Sequence, residues 1–169
     1  MMADSLDNMW NTYNAVKDWI IFSDTKAGAI VAFYALFGST FLPKFIEIKT
    51  QIFSSWLLSI LWILIITFSS VSILFALCCL YPQKRVTSSH SLIFYRDIFE
   101  DYPSPQKYSF KCQKESYDDF SNMKDISGQV WALSKVATRK YDLVSYSIQF
   151  LIISFILFSL FVILIIILK

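Results

Sequence analysis

An acidic and a basic side chain, Asp24 and Lys26, stand inside the apolar run Trp19-Ile20-Ile21-Phe22-Ser23-Asp24-Thr25-Lys26-Ala27-Gly28. Ionisable groups in such a setting are costly, face protein or water, and either pair or serve a ligand or a gate. The second charged cluster is Ser134-Lys135-Val136-Ala137-Thr138-Arg139-Lys140-Tyr141. Lys135 and Arg139 are four apart and share a helix face, so they call for an anion or an acidic partner. A phosphate would satisfy them, as would anionic headgroups. The structural pairing is Asp24 with Lys135, Arg139 or Lys140, and Lys26 with Asp142. On a helix, Asp24, Gly28, Ala32, Ala35 and Ser39 fall on one face, a small-residue stripe of the kind that lets membrane helices approach closely.

No arrangement of residues suggests catalysis. Nothing resembles a nucleophile–base pair, a P-loop or a carboxylate dyad. Glu100-Asp101 and Asp118-Asp119 have no histidine beside them, and His90 is the sole histidine. Cys78 and Cys79 are adjacent in an apolar run and Cys112 is alone, so neither a zinc set nor a disulfide framework is drawn. We expect no enzyme, no resident cofactor and no metal. Ser55, Ser59 and Ser70 share a face of one apolar segment, and Ser147 and Ser154 a face of another, which reads as interhelical hydrogen bonding.

These residues are carried by a chain of 169 residues with 56% hydrophobic and 17% charged residues, against about 45–50% and 25% in a soluble domain. The net charge of +2 is too small to argue for nucleic acid. Residues 50–83 and 143–168 are free of charged side chains, and a bilayer core needs about 20 apolar residues of helix. Residues 27–43 form a shorter run that becomes long enough once Asp24 and Lys26 are included. The chain therefore divides into a helix over 1–18, spans over 19–43, 52–81 and 143–168, a short loop over 44–51, and a polar region over 82–142. The fold class is an all-α membrane protein with three transmembrane helices.

Ten lysines and arginines lie in 82–142 and two in 44–51, which places 82–142 and the N-terminus in the cytoplasm and the C-terminus outside. A cleaved signal peptide fits poorly, because Asp4, Asp7 and Asp18 outnumber Lys17 at the start. Leu6, Trp10, Tyr13, Lys17 and Ile20 recur at helical spacing, with Asp4 as N-cap, and predict a helix from about Ser5 to Leu42. Phe120, Met123, Ile126, Val130, Leu133, Ala137, Tyr141 and Val144 do the same for residues 115–168. Helices one and three thus extend beyond the membrane as a cytoplasmic helical stalk. Between them, residues 91–99 form an apolar knot, a short strand or a helical turn or two, which Tyr102-Pro103-Ser104-Pro105 closes.

Three stretches together resemble the transmembrane effector family of bacterial Pycsar antiphage systems (PycTM): residues 19–28, the knot Leu92-Ile93-Phe94-Tyr95-Arg96-Asp97-Ile98, and residues 133–141. Arg96 stands where the family has glycine, and Ser23 where alanine is usual. The resemblance implies a bacterial inner-membrane protein of phage defence. A partner pyrimidine cyclase would supply cyclic CMP or cyclic UMP, and the effector would bind it and disrupt the membrane. A cyclic nucleotide offers one phosphate charge and a flat base. Phe94, Tyr95 and Tyr141 are the candidates to stack on it, and Arg96, Arg139 and Lys140 to meet the phosphate. Three spans are too few to enclose a wide pore, so a homo-oligomer in the lipid bilayer is expected. The competing class is a small constitutive channel or structural subunit without nucleotide control.

Overall fold

The computed structural model describes residues 2–82, 91–115 and 119–167. Of it, 93% is helical and none lies in a strand. The helices run α1 Met2–Ser54, α2 Trp56–Leu80, α3 Tyr95–Asp101, α4 Pro105–Glu115 and α5 Asp119–Ile167. Three are long and apolar enough to cross a membrane, over Asp4–Glu47, Trp56–Leu80 and Phe120–Ile167. The protein is thus an all-α membrane protein with three spans. Two compact units divide it: Met1–Ile21 with Gln83–Arg139, and Phe22–Pro82 with Lys140–Lys169. Helices α1 and α5 contribute to both.

Helix α1 is longer than the sequence suggested. It begins at Met2, so Asp4 lies in its first turn rather than capping it. It also runs through Pro43, so residues 44–51 are helical rather than a loop. A proline inside a helix removes one backbone hydrogen bond and crowds the carbonyl four residues before it. Tertiary contacts beyond Pro43 outweigh that cost. Phe45 stacks on Trp62 with ring centroids 4.5 Å apart, and Ile52 is fully buried against Leu58, Ile65 and Phe161. Helix α1 gives way at Ser55, whose backbone is extended (φ −116°, ψ 122°). The Ser59 hydroxyl pins this joint by donating to the carbonyls of Ile52 and Ser55. Helix α2 therefore starts at Trp56, not at residue 52.

In the second unit α1 and α2 run antiparallel, and α5 runs parallel to α1. Ala27 and Ile30 of α1 meet Ala76 and Cys79 of α2 and Val144 of α5. At the opposite end Phe37 and Phe41 meet Phe158 edge-on, with centroids at 4.9 and 5.1 Å. The inward residues of α5, Lys140, Val144, Ser147, Leu151, Ser154, Phe158 and Phe161, step alternately by four and three. That is the 3.5-residue period of left-handed bundle packing. Leu36, Ile63, Leu74 and Ile166 point outward and are well exposed, as a lipid-facing surface requires. Ser72 and Ser147 are the buried polar pair between α2 and α5. Ser70, which the sequence placed in a polar seam, is exposed instead.

In the first unit the knot resolves into helix. Residues 92–94 lead into the two turns of α3, and the expected break falls at residues 102–104. Pro105 is then the first residue of α4, the position where its missing N–H costs nothing. Residue 115, the expected start of the last helix, ends α4, and α5 begins at Asp119.

Candidate functional site

Asp24 and Lys140 close the bundle at one end. The side chain of Lys140 is only 7% exposed and that of Asp24 37%, and the Lys140 Nζ donates to Asp24 Oδ1 at 2.5 Å. Helix register explains the choice of cation. Lys140 occupies the inward stripe of α5, one helical turn before Val144. The Cys79 thiol lies 3.8 Å from Asp24 Oδ1 and 4.0 Å from the Ser23 carbonyl, within donating reach of both. Cys79 is thus a packed small residue, whereas Cys78 is exposed. One residue from each spanning helix meets here, so the carboxylate of Asp24 ties α1 to α2 and α5 together.

Lys26 does not pair with Asp142. Its Nζ lies 4.2 Å from the Phe22 ring centroid and 5.9 Å from that of Tyr141. A cation over aromatic faces is stabilised by about 0.5–2 kcal/mol, more as water is excluded. Asp142 is exposed. Around the span entrance the second unit therefore gathers two ammonium groups, one carboxylate and two aromatic rings.

The other predicted residues fall in the first unit. Lys135 lies 5.8 Å from the Trp131 ring centroid, and Arg139 is exposed. Arg96 pairs with Glu100 at 2.6 Å in an exposed i, i+4 bridge. Phe94 is half-buried and caps the start of α3, and the side chain of Tyr95 lies outside the described residues. The knot is held by backbone satisfaction instead. Asp97 is 1% exposed and accepts from the Ser91 amide at 2.9 Å. Asp125 of α5 accepts from the Leu92 amide at 3.0 Å. The Tyr108 hydroxyl of α4 donates to the Leu92 carbonyl at 2.9 Å. Asp97 and Asp125 escaped sequence reading because a carboxylate that holds amides across 6 and 33 residues leaves no local spacing signal.

Beyond Asp24, the small-residue stripe is not where the bundle packs on itself. The inward face of α1 is Ser23, Ala27, Ile30, Tyr34, Phe37 and Phe41, mostly one or two residues before the stripe. One residue is about 100° of rotation, which turns the stripe away from the bundle core. Ala32, Ala35 and Ser39 are exposed, and a Cβ on the half-buried Gly28 would meet nothing within 4 Å. Among the described residues no group of three or more histidine, cysteine, aspartate or glutamate side chains is placed to hold a metal.

Residues 8–168 match the model of a family described as PycTM, Pycsar effector protein domain. No curated protein and no solved structure matches the chain.

Proposed function

Because the chain belongs to the Pycsar effector domain family, we propose that it is an antiphage membrane effector switched on by cyclic CMP or cyclic UMP. A partner pyrimidine cyclase supplies the messenger, and the activated protein disrupts or depolarises the bacterial inner membrane and causes abortive infection. The protein works here as a binding and gating device rather than an enzyme. It acts as a homo-oligomer, with its N-terminus cytoplasmic and its C-terminus periplasmic.

The observation that carries the reading is the Asp24–Lys140 pair at the entrance of the three spans. An ion pair between α1 and α5 is a latch that a competing anion opens. The messenger's phosphate offers Lys140 a second partner. Phe22 and Tyr141, already paired with the Lys26 cation, offer flat faces for the base. Of the six residues expected to meet the messenger, Lys140 and Tyr141 stand at this latch. Phe94, Tyr95, Arg96 and Arg139 belong to the other unit and enter the test as a separate set.

The experiment reconstitutes the protein in liposomes holding a potassium gradient and a voltage-sensitive dye. Cyclic CMP or cyclic UMP should collapse the potential, while cyclic AMP and cyclic GMP should not. A Lys140→Ala, Tyr141→Ala variant should lose the nucleotide response. A constant current without nucleotide would instead support the small-channel reading.

A further inference from the structure

A cavity of about 350 Å³ lies in the second unit, between α1 and α5 with α2 as its floor. Its walls are aromatic and aliphatic, including Phe41, Phe158 and Ile165, and its floor is Trp62 and Ile65. The cause is the gradation of side-chain size along the bundle. Serine, alanine and cysteine at 23, 27, 72, 76, 79 and 147 let the helices close at the Asp24 end. Phenylalanine and tryptophan at 37, 41, 45, 62, 158 and 161 hold them apart at the other.

Only Lys44 and Glu47 interrupt the apolar lining. Both are exposed, and neither makes an ion pair among the described residues. Between Lys26 and Lys44, α1 carries no charge. The 20 residues from Asp24 to Lys44 rise about 30 Å, the thickness of a bilayer's hydrocarbon core. Lys44 and Glu47 therefore lie at headgroup level on the membrane face opposite Asp24. From Lys44 to Phe37 the cavity reaches about 10 Å into the hydrocarbon.

We propose that this cavity binds one phospholipid with a protonated amine in its headgroup: an acyl chain fills the aromatic cleft, the phosphate meets Lys44 and the ammonium meets Glu47. Lys44 and Glu47 are three apart on one helical face, about 5–6 Å between Cβ atoms, a spacing that serves a phosphate and an amine on one headgroup. The lining is apolar below the rim, and its volume is within the range of ligand pockets, about 300–1,000 Å³. A purely anionic lipid would leave Glu47 facing like charge. The proposal rests on the membrane spans and not on the messenger reading.

The test uses Trp62 as the reporter. Trp10, Trp19, Trp56 and Trp131 are all exposed, so replacing them with Phe leaves a folded protein with one tryptophan on the cavity floor. Phospholipids brominated on the acyl chain are added at low mole fraction to phosphatidylcholine nanodiscs. Brominated phosphatidylethanolamine should quench Trp62 saturably, with a preference of about fivefold over brominated phosphatidylcholine or phosphatidylglycerol, as two exposed ion pairs would give. Lys44→Ala with Glu47→Gln should abolish the preference. Native mass spectrometry of the unmodified protein should retain one phosphatidylethanolamine per chain, and Val162→Phe, which fills the cavity, should lose it. Quenching proportional to mole fraction and indifferent to headgroup would mean bulk lipid contact only and would overturn the proposal. Absence of quenching at every composition would mean that a second copy, or the chain itself, covers the cavity, and would overturn it equally.

Discussion

Ser72 and Ser147 exchange hydrogen bonds: each hydroxyl donates at 2.8 Å to the other's backbone carbonyl, and both residues are fully buried. Two serines thus tie α2 to α5, and both of their hydroxyls are satisfied inside the apolar interior. Interhelical hydrogen bonds in membranes average about 0.6 kcal/mol, up to about 1.7. The two hydroxyl oxygens also lie 3.3 Å apart, so Ser72→Ala and Ser147→Ala should each cost about 1 kcal/mol in detergent unfolding, and the double variant less than the sum. Ser147→Leu should cost about 1–3 kcal/mol, because the contact has no room for a branched side chain. Additive single losses would mean that the two hydroxyls act independently.

The latch should show the same kind of coupling more strongly. Removing one member of a buried ion pair costs about 3–5 kcal/mol, because a charge is stranded. With Asp24 37% exposed, Lys140→Ala should cost nearer about 2 kcal/mol, after solvent screening. Asp24→Asn in the Lys140→Ala background should restore part of that. Thermal melts of the four proteins give the cycle. Arg139→Ala and Lys135→Ala should show no coupling to Asp24, since Lys140 holds the inward position. On the proposed gating reading, Asp24→Asn alone should make liposomes leak without nucleotide, since it removes the charge that holds Lys140.

Gly28→Leu separates packing within a chain from packing between chains. A side chain there meets nothing within 4 Å in the single chain, and replacing glycine within a helix gains up to about 1 kcal/mol of propensity. The variant should therefore keep or raise its melting temperature in detergent. If the exposed stripe of Ala32, Ala35 and Ser39 is the homo-oligomer contact, the variant should also run as a smaller species by light scattering. An unchanged mass would place the contact on another face.

The tether of the knot should report through hydrogen exchange. Tyr108→Phe removes the bond to the Leu92 carbonyl and should cost about 1 kcal/mol. Asp125→Ala should expose the Leu92 amide and raise exchange across 91–102 without altering the spans. Burial raises the Tyr108 phenol above its usual pKa. The phenol's contribution is therefore complete below about pH 10, its ordinary value, and is lost as pH rises through the higher folded value.

The spans were legible because charge is the strongest signal in such a chain: residues 50–83 and 143–168 lack it altogether. The choice of Lys140 over Lys135 and Arg139 was also present in the sequence, as the four–three stepping from Lys140 to Phe161. A period of 3.5 is hard to see in an apolar run, where every face looks inward. That difficulty also put the packing face of α1 on Gly28 and Ala32 rather than on Ala27 and Ile30. The passage of α1 through Pro43 had no local signal, because Phe45 on Trp62 and the burial of Ile52 settle it over a distance. Asp97 and Asp125 were hidden for the same reason.

A turn of one residue between α1 and α2 has a consequence for how this protein can change length. Loops absorb insertions, whereas Ser55 has no slack to give. One residue added between Ser55 and Leu58 would rotate all that follows by about 100°, and Ile65, Ser72 and Cys79 would leave the interior together. Register returns only after seven residues, when two turns are complete and the inward stripe realigns. Viable length variants of this hairpin should therefore come in heptads, and a single-codon insertion near the joint should be as damaging as the loss of a core side chain.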